Sequence, residues 1–231
     1  MKNNLLNSVS RYGRVVKELV FPRRCALCGG GIEVGYLCDS CRKPYLLQKE
    51  VQCAEGDVLK SIMLLYKYSG IYKDNLLKVK TNGDTSLLPF LREEAEAAMP
   101  SGKMEWLHRF DLITTVPASA DRIKAHGFDL SHELFAPVVD VGATVYSDYI
   151  LRRVRNTAPL KGMSPAERKE EVVGSFTLGS VFKLAGKHIL ICDDIYSTGV
   201  TFREAAQVLL NAGAADVSVL AFAMAGSLGQ E

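Results

Sequence analysis

The chain has 231 residues and 25.3 kDa, with 48% hydrophobic and 23% charged side chains, enough to bury a real core and to exclude a disordered or low-complexity protein. Its net charge of +2 hides an asymmetry: residues 1–50 carry nine Lys or Arg against four acids, a local +5 on a body of −3, which suggests a polyanionic partner. No apolar run reaches the ~18–20 residues of a membrane span, and no signal-peptide pattern opens the chain, so it reads as cytoplasmic and not an integral membrane protein.

Near the N-terminus, Leu5, Val9, Tyr12, Val16 and Leu19 recur at helical spacing with Arg11, Arg14 and Lys17 between them, a basic amphipathic helix. It suits packing on its own domain or docking on a membrane surface. Two C-x-x-C pairs follow, Cys25/Cys28 and Cys38/Cys41, separated by nine residues. Two residues between thiolates let both reach one ion from a tight knuckle, and two knuckles complete a four-thiolate structural zinc shell. Iron in the same shell and two disulfides are the alternatives, and a reducing cytosol disfavours the latter. Cys53 lies too far along the chain for this shell, and Cys192 reads as a packed core residue. Residues 1–50 are expected to form one basic module, and the polar stretch from Gln48 to Asp57 a linker to a second domain, 55–231.

Along that second domain the pattern predicts a strand at 61–66 and helices at 74–80 and 86–98. A strand at 111–116 closes on Val116-Pro117-Ala118-Ser119. A helix at 130–139 and strands at 143–150, 189–192 and 217–222 follow, the last two flanking a helix at 202–211 that stops at Gly213. Such alternation means an α/β open parallel sheet with helices on both faces, whose ligand sits beyond the strand C-termini. Residues 151–176 differ. They hold six basic side chains (Arg152, Arg153, Arg155, Lys161, Arg168, Lys169) in a Pro/Gly-marked stretch. This reads either as a solvated face or as a mobile flap whose cations meet a pyrophosphate.

The run Ile189 to Thr201 carries the chemistry: an apolar strand, the pair Asp193-Asp194, then Ser197-Thr198-Gly199-Val200-Thr201 leading into a helix. Amides at a helix N-terminus and neighbouring hydroxyls bind phosphate, while paired acids accept hydrogen bonds from vicinal sugar hydroxyls. A ribose 5-phosphate unit satisfies both halves. A nucleotide P-loop would need a lysine after its second glycine, and a dinucleotide fold would place its acid ~20 residues after the turn.

This segment resembles the phosphoribosyl pyrophosphate (PRPP) loop of type I phosphoribosyltransferases. The resemblance assigns the ribose hydroxyls, and with them the catalytic role, to Asp193 and Asp194, and the 5-phosphate to residues 197–201. With the four-cysteine module and the basic stretch, the chain resembles the ComF family, phosphoribosyltransferase-like proteins of natural transformation with an N-terminal zinc finger. That resemblance implies a type I phosphoribosyltransferase-like fold plus a small zinc-ribbon-like module. It places pyrophosphate at Val116, Pro117, Ala118 and Ser119, with Lys80 (before Gly83-Asp84), Arg153 and Arg155. Thr157, Arg168 and Phe176 follow the family's flap, and Gly127-Phe128 sits in an Arg-Gly-Phe-Asn signature whose outer positions are His126 and Asp129 here. Leu160 stands where a Gln is usual.

The family implies Mg²⁺ alongside PRPP and a cytoplasmic role in DNA uptake, with single-stranded DNA and a helicase-like protein as partners. An active phosphoribosyltransferase of unspecified acceptor, and a non-catalytic sensor of PRPP or a nucleotide, are the other functions the same loop would serve.

Overall fold

The computed structural model describes residues 22–140, 142, 144–155, 163–179 and 183–226. The expected N-terminal amphipathic helix and the positions Thr157, Leu160 and Lys161 lie outside the described residues. The chain divides into two compact units, Met1–Pro44 and Tyr45–Glu231.

In the first unit an isolated bridge joins Arg24 to Gly31, and one turn of helix, α1 (Asp39–Arg42), starts at Cys38. Cys25 and Leu37 are its buried apolar side chains among the described residues.

The second unit is built on a six-stranded sheet. Its strands are β1 (Leu46–Gln52), β2 (Ser61–Lys67), β3 (Leu112–Thr115), β4 (Val145–Tyr146), β7 (His188–Tyr196) and β8 (Asp216–Met224), in the order β1-β2-β8-β7-β3-β4. All neighbours are parallel except β1, which runs antiparallel to β2. The sheet is therefore mixed, and the polar stretch expected as linker is partly an edge strand. Such a strand shows one side to water and so lacks an apolar run; a register shift between Leu46 and Lys49, with Gln48 at φ 42°, blurs its alternation further. The strand expected over 143–150 shrinks to two residues at the opposite edge.

Helices cover both faces. On one, Phe202, Ala205, Ala206 and Leu209 of the helix Val200–Asn211 pack with Ile189, Ile191, Val217, Val219 and Ala221 of the central strands. On the other, Phe222, of opposite parity to Val219 and Ala221, meets Tyr72 of α2 (Gly70–Asn82), which also stacks on Tyr66 and contacts Phe90 of α3 (Leu88–Ala98). Buried Glu94 of α3 sits among these rings, accepting from Tyr72 Oη at 2.7 Å and Tyr66 Oη at 3.2 Å.

The remaining helices are α4 (Lys103–Leu107), α5 (Ala120–His126), α6 (Leu130–Val139), α7 (Pro165–Val172) and α8 (Val200–Asn211). The basic stretch is anchored where it is described. β5 (Leu151–Arg153) and β6 (Phe176–Leu178) pair antiparallel, and Leu151, Val172 and Phe176 are buried in the α8-side core. Three apolar anchors, too widely spaced to show a period, hold the described ends of this stretch against the core.

Among the described residues, no helix is long and apolar enough to cross a membrane.

Candidate ribose phosphate site

Strand order fixes the site. β3 leads on to β4 on one side and β7 to β8 on the other, so the loops leaving these adjacent strands part and open a crevice at their C-terminal ends. The register pairs Thr115 with Cys192, and the Val116 amide donates to the Cys192 carbonyl at 3.0 Å. Residues 116–119 therefore stand beside Asp193 and Asp194.

The two acids lie inside β7, which continues to Tyr196, rather than in the turn after it. Asp194 is 4% exposed, and its Oδ2 pairs with Lys80 Nζ from the end of α2 at 2.7 Å. Asp193 is partly exposed; its Oδ1 accepts from Ser131 Oγ of α6 and from the Asp194 amide. Burial, reinforced by the neighbouring Asp194 charge and opposed by Lys80, pushes the Asp193 carboxyl up to about 7. The charge on Asp193, beside the lysine-paired Asp194, is thus held reluctantly, a state that a cation or hydroxyl-rich ligand relieves.

The phosphate turn follows at once. Gly199 is the N-cap of α8 with φ 73°, and a Cβ built there would collide with Tyr196 Oη and Arg203 Nη1. Arg203, which sequence reasoning passed over, braces this turn. It donates to the Thr198 carbonyl at 3.3 Å and to Asp57 Oδ2 at 3.1 Å, while Asp57 Oδ1 takes the Leu59 amide. We expect Gly199→Ala to cost about 1–3 kcal/mol of stability through the left-handed conformation alone and to weaken ribose 5-phosphate binding further. Paired melting and titration curves check this, and unchanged values in both would refute it.

Asp129 caps α6 by accepting from the Ser131 and His132 amides, and its Oδ2 takes the Ala118 amide at 2.7 Å. Burial pushes its carboxyl upward, with Asp194 adding to the shift. Ser119 caps α5 through the Arg122 amide. Arg153 lies over the Phe176 ring at 5.3 Å, electrostatically coupled to Asp193 and Asp129. Arg155 instead reaches the carbonyls of Glu170, Glu171 and Val173 at the end of α7. Lys80, Asp193, Asp194, Arg153 and the 116–119 loop therefore converge, and Arg155 is occupied elsewhere.

In the first unit the four sulfurs of Cys25, Cys28, Cys38 and Cys41 lie within 4.8 Å of one another. The Cys28–Cys38 sulfur separation is 3.8 Å, far beyond a disulfide at about 2.05 Å and close to the ~3.8 Å edge of a tetrahedron with 2.3 Å metal–sulfur bonds. Amides of Cys38 and Cys28 directed at Cys25 sulfur lower that thiol to about 6, while the sulfurs of Cys38 and Cys28 push Cys41 up to about 12. Four crowded sulfurs competing for negative charge form a donor set that could hold a structural metal.

The sequence profile of the phosphoribosyl transferase domain matches residues 135–228. The DNA utilization protein YhgH of Salmonella typhi is 35% identical over 109 residues, 47% of each chain, so this chain spans about half the length of the first curated relatives it matches. The competence protein ComFC of Streptococcus pneumoniae is 29% identical over 78% of this chain and 77% of its own. A glutamine PRPP amidotransferase from B. subtilis, solved with ADP and GMP, is 22% identical over 50% of this chain and 24% of its own, with a TM-score of 0.31, too low to bear on fold or function.

Proposed function

We propose a function for this chain from the premise that it belongs to the ComF family: it binds a ribose 5-phosphate ligand, PRPP among them, and serves DNA uptake. The observation that carries the ligand is the convergence of Lys80, Asp193 and Asp194 between the 116–119 and 197–201 turns.

In this reading Asp193 and Asp194 accept the ribose 2- and 3-hydroxyls. Amides and hydroxyls of Ser197 to Thr201 hold the 5-phosphate at the α8 N-terminus. Lys80 is paired with Asp194, and Arg153 with residues 116–119 faces the pyrophosphate. Mg²⁺, when bound, would stabilise the pyrophosphate charge, with the carboxylates of Asp193 and Asp194 the oxygen donors that could hold it. In a transferase reaction, a nucleophilic atom of the acceptor would bond to C1 as the C1–oxygen bond breaks and its electron pair leaves on pyrophosphate, the acceptor's proton passing to solvent or buffer.

Titration with ribose 5-phosphate and with PRPP plus Mg²⁺ tests this. Asp193→Ala with Asp194→Ala should abolish both signals in a folded protein, and binding that survives the double substitution would sink the assignment.

The relatives' names support the DNA role, and the charge on the first unit supports single-stranded DNA as its partner, with a helicase-like protein alongside. Arg23 and Lys43 are exposed, whereas Arg24 and Arg42 are tied to the module's own groups, Gly29 and Leu37 carbonyls and Asp39. Strand affinity should fall with salt by ~0.7 log units per phosphate contacted for each log unit of salt, and Arg23→Ala with Lys43→Ala should flatten that slope. A flat titration at low salt would remove this part. The four cysteines are read as a structural zinc site.

A further inference from the structure

A turn that binds phosphate must present its amides to the anion and turn its carbonyls away, because a carbonyl oxygen facing a phosphate repels it. In the 197–201 turn the Thr198 carbonyl is taken by Arg203 Nη1 at 3.3 Å, and the same nitrogen meets Tyr196 Oη at 3.4 Å. Gly199 lies so close beneath this pair that a Cβ there would strike both. The other arm of the guanidinium, Nη2, donates to Asp57 Oδ2 at 3.1 Å, 146 residues earlier in the chain. Asp57 is itself fixed. Its amide donates to the Ala54 carbonyl at 3.1 Å, its Oδ1 accepts from the Leu59 amide at 3.1 Å, and Leu59 is buried in the core. The Cys53 amide closes the loop by donating to the Lys60 carbonyl at 2.9 Å. An anchored loop between β1 and β2 therefore holds one arm of a planar fork whose other arm sets the phosphate turn.

We propose that Asp57 is a positioning residue of this site: by holding Arg203 on the Thr198 carbonyl, it keeps the amides of the 197–201 turn directed at the 5-phosphate. This rests on the ribose phosphate reading above. The opposite role for Asp57 is as a charge that merely cancels Arg203 beside an anion site. The two roles differ in sign. If Asp57 only cancels charge, removing its charge strengthens phosphate binding. If it positions the fork, the same change releases the Thr198 carbonyl and weakens binding, although a cation has been set free.

The full chain is titrated with ribose 5-phosphate well below its melting temperature, as are Asp57→Asn, Arg203→Lys, Arg203→Gln and the double variant Asp57→Asn with Arg203→Gln. Asparagine keeps an oxygen for the Leu59 amide and loses the charge, while lysine keeps the charge and loses the fork. Melting curves verify that each variant is folded, and Asp57→Ser, which also offers an oxygen to that amide, replaces Asp57→Asn should the latter not fold. Asp57→Asn and Arg203→Lys are each expected to weaken binding by about three- to fivefold, the order of one partly exposed ion pair. In the Arg203→Gln background Asp57→Asn should cost nothing further, because the two residues act as one unit. Binding that is unchanged or tighter in either folded single variant overturns the proposal, as does an Asp57→Asn loss that persists in full in the Arg203→Gln background. Both results leave the ribose phosphate reading intact. An unsubstituted chain that does not bind ribose 5-phosphate overturns that reading and this inference together.

Discussion

Metal removal by a strong chelator, or Cys25→Ser, is expected to melt residues 22–44 while the sheet of the second unit stays folded. The energetics leave little room for another result. Ordering a backbone costs about 1–2 kcal/mol per residue, and the first unit buries only Cys25 and Leu37 among its described apolar side chains, each contributing at most ~3 kcal/mol. The backbone bonds that shape the knuckles, such as Cys25 N to the Gly30 carbonyl and Ala26 N to the Tyr36 carbonyl, contribute about 1 kcal/mol each. Structural zinc brings roughly 10–16 kcal/mol to such a shell. Metal analysis should find one zinc per chain, and limited proteolysis after chelation should cut within 22–44 and spare the sheet. Less than one equivalent of metal, or a cleavage pattern indifferent to chelation, would refute the structural role.

The parts of the fold that were legible in the sequence are those whose side chains face apolar surroundings on both sides. β7, β8 and β2 are buried almost throughout, so they stand out as apolar runs, and α6 falls on the predicted residues 130–139. What escaped is what a neighbour decides. β1 exists because β2 offers a free edge, and its polar face hides it. The helix expected at 74–80 begins four residues earlier, with Gly70 opening α2 from the extended Ser69.

The site divides along the same line. Asp193, Asp194 and Gly199 sit in one short segment whose chemistry can be read without coordinates. Ser131 and Arg203 could not be found that way. Ser131 is 62 residues from the carboxylate it serves, and Arg203 looks like an ordinary exposed helix cation until its bonds to Thr198 and Asp57 are seen. The Lys80–Asp194 pair is intermediate: family resemblance nominates the lysine, but only the fold, which brings the end of α2 to Asp194, gives it a partner.

Asp193→Asn should make the ligand-free protein more stable at neutral and mildly alkaline pH while weakening its binding of ribose 5-phosphate. The carboxyl is raised to about 7 in the fold, by burial first and by Asp194 second, against about 3.9 in an unfolded chain. Between about pH 4 and pH 7 the folded state therefore keeps a proton that the unfolded chain has released, and stability falls as pH rises across that window. Asparagine retains the carbonyl oxygen that takes the Ser131 hydroxyl and the Asp194 amide, yet carries no charge to be repelled. Its melting temperature should exceed that of the unsubstituted chain most at pH 8, and the slope between pH 4 and 7 should flatten. Asp129, raised in the same direction, leaves a residual slope that Asp129→Asn removes separately. The cost falls on binding, because a hydroxyl bonded to a carboxylate gains about 1.5–3 kcal/mol and a neutral amide returns only part of it. A loss of ribose 5-phosphate affinity of roughly tenfold is therefore expected alongside the gain in stability. An Asp193→Asn protein that melts lower than the unsubstituted chain at pH 8 would show that the charge is welcome in the empty site, and would remove the strained carboxylate pair from the account.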